Sequence, residues 1–361
     1  MIISFPHMGK IHLALEKTCQ ILELPYIVPS LPGPKTLKLG QELAPEGSCL
    51  PFCLVLGNMR EALEKGADAI LMLGGSGPCR FGYFIYLAVE LLKDAGYVFE
   101  PVIIDKGYHL KNFMKLQHIS RTSLPSLVKA VFFGWELLVS EEIIDRLERE
   151  YAPLIIDRLC FSKLLAEARQ ELSLARTLQE TKVIRSRVIE YIKNTKMYPM
   201  DKVLRVGLIG DIYTLLEPYA NHQVEVFLRK HNVVVYKEIS VSGWLPNLLL
   251  PWRTTSYRRE LLKKATPYLG SSVGGFGLET VANAHMMRNT KADGLIQLFP
   301  LGCMPEIVAR SALNKMCHDE KIPVLCVTMD QHHSKTGFET RLEAFLDMLH
   351  NRQQISEHDT A

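Results

Sequence analysis

The sequence lacks a long hydrophobic run. No apolar stretch approaches the roughly 20 residues that a membrane-spanning helix needs, although 47% of the 361 residues are apolar. The opening residues, MIISFPHMGK, carry no basic region ahead of their apolar stretch. They read as a first strand and not as a signal peptide, so a cytoplasmic location without a membrane partner is expected. Charge of one sign is also missing. The 42 basic and 39 acidic residues leave a formal charge of +3, scattered over helical faces, and give no footprint for nucleic acid. No Walker A lysine motif occurs, so the chain is not expected to hydrolyse ATP by itself. Nor does any CxxC pair occur among the eight cysteines, which leaves zinc-ribbon and thioredoxin readings without support. A disulfide framework is not expected in a cytoplasmic chain.

What is present is an alternation of short apolar strands and helical stretches. Ile2 to Phe5, Pro25 to Val28, Ala69 to Leu73 and Pro101 to Asp105 read as strands, with helical patterns such as Leu54 to Lys65 and Tyr83 to Ala95 between them. Such alternation implies a parallel sheet with helical crossovers. Residues from about 111 to 200 lack strand-like runs; Leu137 to Lys193 carries apolar residues at helical spacing among many charges, with breaks marked at Pro153 and at Cys160 to Ser162. From Val203 the pattern resumes, with strands at Val203 to Ile209, Val233 to Glu238, Gly294 to Leu298 and Val324 to Val327, and a last helix over Thr340 to Leu349. The expected fold is α/β. Two βαβ-type parallel-sheet domains (1–110 and 201–361, the latter with the terminal helix) face each other across a cleft, linked by a helical segment (111–200).

The two α/β parts echo each other. Ala67-Asp68-Ala69-Ile70-Leu71-Met72-Leu73 leads to Cys79, and Ala292-Asp293-Gly294-Leu295-Ile296-Gln297-Leu298 leads to Cys303. Each cysteine follows the C-terminal end of a strand, the edge at which open α/β sheets bind ligands. Cys49 occupies a similar turn, Gly47-Ser48-Cys49-Leu50-Pro51, just before a helix. A thiol at a helix N-terminus has its thiolate favoured by the dipole, and three thiolates without histidine suit iron–sulfur better than zinc. Buried cysteine is also a small hydrophobe. That is the reading for Cys19, Cys160, Cys317 and Cys326, which lie within helix or strand patterns. For the three loop cysteines, spacing alone leaves both readings open.

The segments GSCLPFCLVLGN, GADAILMLGGSGPCRFGYF, ADGLIQLFPLGCMPEIVA and TGFETRLEAF resemble the 2-hydroxyacyl-CoA dehydratase and double-cubane-cluster superfamily, most closely its short branch labelled CoA protein activase. The resemblance runs from the first strand to Phe345. It implies that Cys49, Cys79 and Cys303, separated by 30 and then 224 residues, ligate one [4Fe–4S] cluster and leave one iron without a cysteine. It further implies that Gly74, Gly75 and Gly77 hold the second thiol at the sheet edge with backbone amides near sulfide. The implied partner is a separate ATP-hydrolysing activator that delivers a low-potential electron. The acceptor in dehydratases is a 2-hydroxyacyl-CoA. An accessory electron-transfer protein without a CoA substrate and a double-cubane-type reductase of small molecules are the alternatives, and a dimer is compatible with either. A double cubane needs six thiolates and would have to recruit cysteines read as structural. Cys53, one helical turn beyond Cys49, would close the cluster if it were a fourth ligand; its helical position favours a place beneath the loop instead.

Weaker features remain. Gly275-Phe276-Gly277 resembles a phosphate-cradling turn that opens a helix, without a clear strand before it, or else helps shape the pocket near Cys303. His332-His333 reads as a solvated loop more readily than as a metal site. Arg341 with Glu343 reads as an ion pair. Trp244 and Trp252, beside prolines, either lid a cleft or cover a core.

Overall fold

The computed structural model describes residues 1–74, 80–104, 117, 122–249, 251–289, 292–332 and 334–358. The chain runs β1 (Ile3–Ser4), α1 (Ile11–Ile21), β2 (Tyr26–Ile27), α2 (Pro34–Gln41), α3 (Leu50–Glu64), β3 (Ala69–Leu73), α4 (Arg80–Asp94) and β4 (Glu100–Ile104). Three long helices follow, α5 (Leu124–Tyr151), α6 (Arg158–Leu174) and α7 (Leu178–Asn194). The second α/β part holds β5 (Arg205–Gly210), α8 (Ile212–Leu216), α9 (Val224–Lys230), β6 (Val234–Tyr236), α10 (Val241–Leu249), α11 (Pro251–Ala265) and α12 (Gly277–Asn289). It closes with β7 (Gly294–Pro300), α13 (Met304–Glu320), β8 (Val324–Met329) and α14 (Lys335–His358).

Two four-stranded sheets result, in the orders β2-β1-β3-β4 and β6-β5-β7-β8. Every ladder is parallel. The central strands are continuous apolar runs because helices cover both faces; all seven residues of β7 are buried. The topologies are the same, so β3 and β7, the strands that lead to Cys79 and Cys303, hold equivalent places. In each sheet the order reverses beside the first strand, the switch point at which such folds bind ligands.

The carboxyl ends of the two sheets face each other. A Cβ on Gly9, in the loop after β1, would lie 3.1 Å from Leu216 Cβ, at the end of the helix after β5. Gln331, just past β8, donates its Nε2 to the Ser48 carbonyl (2.9 Å) and accepts from Gln41 at 2.6 Å. One apolar core runs through both parts: Phe52, Ile70 and Leu92 belong to the same cluster as Leu208, Val235, Leu298 and Phe338. Helix α5 ties the two together. Lys10 of the first part pairs with its Glu141 (2.8 Å) and Asp145 (2.7 Å), while its Glu142 accepts from the amides of Val241 (2.7 Å) and Ser242 (3.0 Å) in the second. The three long helices also share a smaller core of their own around Ile144, Phe161, Leu165 and Val188.

Some boundaries differ from expectation. The break at Pro153 is real, but Cys160 to Ser162 lies inside α6, where Asp157 caps the helix by accepting from the Cys160 amide at 3.0 Å. The second break falls at residues 175–177, where Thr177 caps α7. Helix α3 begins at Leu50, not Leu54, and α14 continues to His358 because its polar end, NRQQISEH, keeps good helix formers after the apolar periodicity has stopped.

Candidate metal centre

Cys49 is the N-cap of α3 and Cys303 the N-cap of α13. The two starts share a Cys-x-Pro form, Cys49-Leu50-Pro51 and Cys303-Met304-Pro305. Proline suits a first helical turn because its missing amide hydrogen has no intrahelical partner to lose. The amides that remain, together with the dipole, favour negative charge at this end. A helix start of this kind is where a thiolate, as opposed to a thiol, is favoured. Both cysteines are half-buried, and neither thiol serves as the side-chain cap of its helix.

Close backbone approaches fix both helix starts. A Cβ on Gly40 of α2 would stand 1.8 Å from the Cys53 carbonyl oxygen, so only glycine lets α2 lie against α3. A Cβ on Gly277 would stand 2.5 Å from the Pro305 carbonyl oxygen. Gly277 thus lets the start of α12 meet the turn that Cys303 opens, and Gly275, at φ 47°, turns the chain into it. The Gly275-Phe276-Gly277 turn lies beside Cys303.

The segment after β5 borders both starts. Buried Tyr213 lies within electrostatic reach of Cys49, and buried Glu306, three residues beyond Cys303, within that of the half-buried Asp211. Asp211 caps α8 by accepting from the Thr214 amide and hydroxyl, each at 3.0 Å. Glu306 accepts from Thr280 Oγ1 (2.9 Å) and Gln297 Nε2 (3.0 Å). Burial pushes Glu306 up to about 8 and Glu279 up to about 7. Burial likewise lifts Glu217, whose carboxylate the amides of Tyr219 and Gly9 favour, to about 7. The edge of the second sheet therefore carries carboxyls that hold protons near neutrality.

The other cysteines separate from this pair. Cys53 is buried in the core with its thiol pushed up to about 11, and its Sγ accepts from Gln331 at 3.2 Å. Burial also lifts Cys19 and Cys326 to about 11. Cys160 is exposed on α6 and not a core residue, and none of the described cysteines forms a disulfide. Gly74 ends β3, with its amide on the Ile104 carbonyl at 2.8 Å; Cys79, Gly75, Gly77 and His333 lie outside the described residues. The His332 amide donates to Asp330 at 2.7 Å. Arg341 and Glu343 stand two apart on α14, a spacing that sends side chains to different sides, and no ion pair joins them. Trp244 lies against the core near Phe276. Among the described residues, no three His, Cys, Asp or Glu side chains gather as a ready metal site.

Residues 281–349 match the family described as 2-hydroxyglutaryl-CoA dehydratase, D-component. That stretch is dehydratase-like. It takes in β7, Cys303, α13 and β8, well under half of the chain, and supports the resemblance to the 2-hydroxyacyl-CoA dehydratase superfamily. Cys49 and Cys79 lie outside the dehydratase-like stretch. No curated protein matches the chain.

Sequence reasoning missed Glu306, Asp211, Tyr213 and Gln331. The repeated Cys-x-Pro was available as a signal of two equivalent helix starts, but not of the burial of Glu306.

Proposed function

We propose that Cys49, Cys79 and Cys303 hold one [4Fe–4S] cluster and that the chain accepts a low-potential electron from a separate ATP-hydrolysing activator, for reductive chemistry on an acyl-CoA. The observation that carries this reading is the pair of Cys-x-Pro helix starts, one from each α/β part, that flank the same Asp211–Tyr213 segment. The donor chemistry fits a cluster: two half-buried sulfurs at helix N-termini, where thiolate is the favoured form. A cluster held this way supplies one-electron storage beside an iron that cysteine leaves open.

The chain's own residues do the rest. The two helix dipoles oppose thiolate protonation. On this reading Gly75 and Gly77 would bring backbone amides to Cys79, Gly74 would end the strand before them with its own amide on the Ile104 carbonyl, and Gly275 with Gly277 shapes the floor beside Cys303. Glu306 keeps a proton in a buried site one helical turn from Cys303. Cys53, with its thiol held neutral and hydrogen-bonded, favours three ligands over four. In this reading residues 1–110 and 201–361 are the two sheet domains, 111–200 is the helical link, and the protein works in the cytoplasm. Among the described residues no helix is long and apolar enough to cross a membrane.

Anaerobic purification tests the proposal. About four irons and four sulfides per chain are expected, with an EPR signal on reduction. About eight irons would overturn the single cubane, and a colourless zinc protein would end the cluster reading altogether.

A further inference from the structure

A cleft of about 670 Å³ opens where the carboxyl ends of the two sheets meet, bordered by α5. That size is ordinary for a small-molecule site, in which a mostly apolar wall carries a few placed polar groups. Leu13 of α1, Leu215 and Leu216 of α8 and Val226 of α9 supply apolar wall. Neither Cys49 nor Cys303 lines it, so a ligand there needs no cluster. The charges around the cleft are matched, with one exception. Lys10 pairs with Glu141 and Asp145, and Asp145 also with Arg169 at 2.9 Å. Lys237 (2.5 Å) and Arg149 (3.6 Å) share Glu225. Glu142 holds the Val241 and Ser242 amides, and Lys335, at the exposed rim, lies 3.8 Å from Glu339. The His222 ring sits 5.7 Å from that of Phe338, and burial keeps the Tyr219 hydroxyl protonated.

Glu217 is the exception. It follows α8, is 4% exposed and lines the cleft. The amides of Tyr219 and Gly9 favour its carboxylate, but among the described residues no cation pairs with it, and burial lifts it to about 7. Neither of its carboxyl oxygens is sealed within the protein. Buried carboxylates are ordinarily paired, and the partner lacking here is a cation. The neighbouring group points the same way. His12 Nδ1 lies 3.1 Å from the Gly9 carbonyl oxygen, which only accepts, so Nδ1 carries the hydrogen. Burial lowers His12 to about 4 and keeps its ring neutral, as it does that of His7 beside it. Nε2 therefore presents a lone pair, open to the cleft and without a partner among the described residues. Glu217 and His12 reach the cleft from the two ends of one residue, Gly9, and both accept.

We propose that the cleft binds a small primary amine as its ammonium ion, the nitrogen donating to Glu217 and to His12 Nε2 and the hydrocarbon body lying against the leucines. An ammonium has three donors and no acceptor, the complement of two acceptors in an apolar wall. It binds the ionised form of Glu217. Below about pH 7 the Glu217 proton therefore leaves for solvent as the ligand enters.

The probes are benzylamine and its uncharged isostere benzyl alcohol, titrated calorimetrically into the full-length protein and its Glu217→Gln variant. Benzylamine stays protonated from pH 6 to pH 8, and His12 stays neutral there, so Glu217 sets the slope. Benzylamine binds about tenfold more tightly at pH 8 than at pH 6, as a carboxyl titrating at about 7 requires. At pH 8 it also binds at least about tenfold more tightly than benzyl alcohol, the effect of one charged hydrogen bond. Glu217→Gln keeps the shape of the protonated acid and loses both the slope and the preference. No binding of benzylamine, equal binding of the two probes, or a slope that survives in Glu217→Gln overturns the proposal. If the variant does not fold, the unsubstituted protein decides at pH 6, from benzylamine titrations in two buffers of different ionisation enthalpy. Release of nearly one proton per ligand supports the site, and no release refutes it.

Discussion

Replacing Glu306 with glutamine isolates the effect of a buried proton on stability. Glu306 is fully buried, and its pKa rises from 4.5 to about 8 because burial penalises the carboxylate. In the unfolded chain the carboxyl ionises near its ordinary value; in the folded chain it stays protonated until about pH 8. The folded state thus binds the extra proton between those two values. Stability is greatest below about pH 4.5, falls as pH rises, and flattens above about pH 8. At about 1.4 kcal/mol per pH unit, the loss approaches about 3 kcal/mol by pH 7 and about 4 to 5 kcal/mol above pH 8. Glutamine cannot ionise, and it matches the protonated acid in shape. Its oxygen still accepts from Thr280 and Gln297. Glu306→Gln should therefore show a much flatter pH dependence, with an advantage over the parent that grows by about 3 kcal/mol between pH 5 and pH 8. Urea unfolding of metal-free protein across that range measures it. Any constant penalty from imperfect hydrogen bonding cancels, because the slope is the quantity read. Parallel stability curves for the two proteins would show that Glu306 is ionised in the fold, and the reasoning would fail.

Three further outcomes follow from named contacts. Cys49→Ala, Cys79→Ala and Cys303→Ala should each lose iron on anaerobic reconstitution, while Cys53→Ala, Cys317→Ala and Cys326→Ala keep it; equal losses in all six would mean that ligand and core were sorted wrongly. Gly277→Ala places a methyl 2.5 Å from the Pro305 carbonyl oxygen and should cost about 1–3 kcal/mol in thermal unfolding, with weakened iron retention; an unchanged melt would show that the α12–α13 junction yields freely. Lys237→Met removes the buried ammonium partner of Glu225, which keeps only Arg149 at 3.6 Å, and should cost about 1–3 kcal/mol. Adding Glu225→Leu should restore most of that, and a double variant as unstable as the single one would contradict the pairing.

The two sheets were legible because fully buried parallel strands read as unbroken apolar runs, and because ADAILML and ADGLIQL repeat the same strand entry. Cys49 and Cys303 were legible from the glycines and prolines around them. The pattern was weaker where apolar periodicity and helix propensity part company, as at the polar end of α14. It also misled at Cys160, which looked like a break but sits in the first turn of a capped helix. Arg341 and Glu343 looked like partners in a linear reading and point apart on a helix. Contacts made across nearly the whole chain leave no local trace: Gln331 reaches Ser48 and Cys53 over more than 270 positions. Glu306 was hidden for a different reason, since a glutamate one turn into a helix reads as an ordinary dipole partner until its burial is known.

The core shared by Phe52, Ile70, Leu208, Leu298 and Phe338 bears on how the molecule moves. A jaw that opened about a hinge would have to tear this core and wet its side chains, at a cost comparable with unfolding. Access to the ground between the sheets must therefore come from small displacements of surface loops, with the two halves moving as one body. Cooperativity follows from the same continuity: heat should melt both sheets in a single step, neither surviving the other.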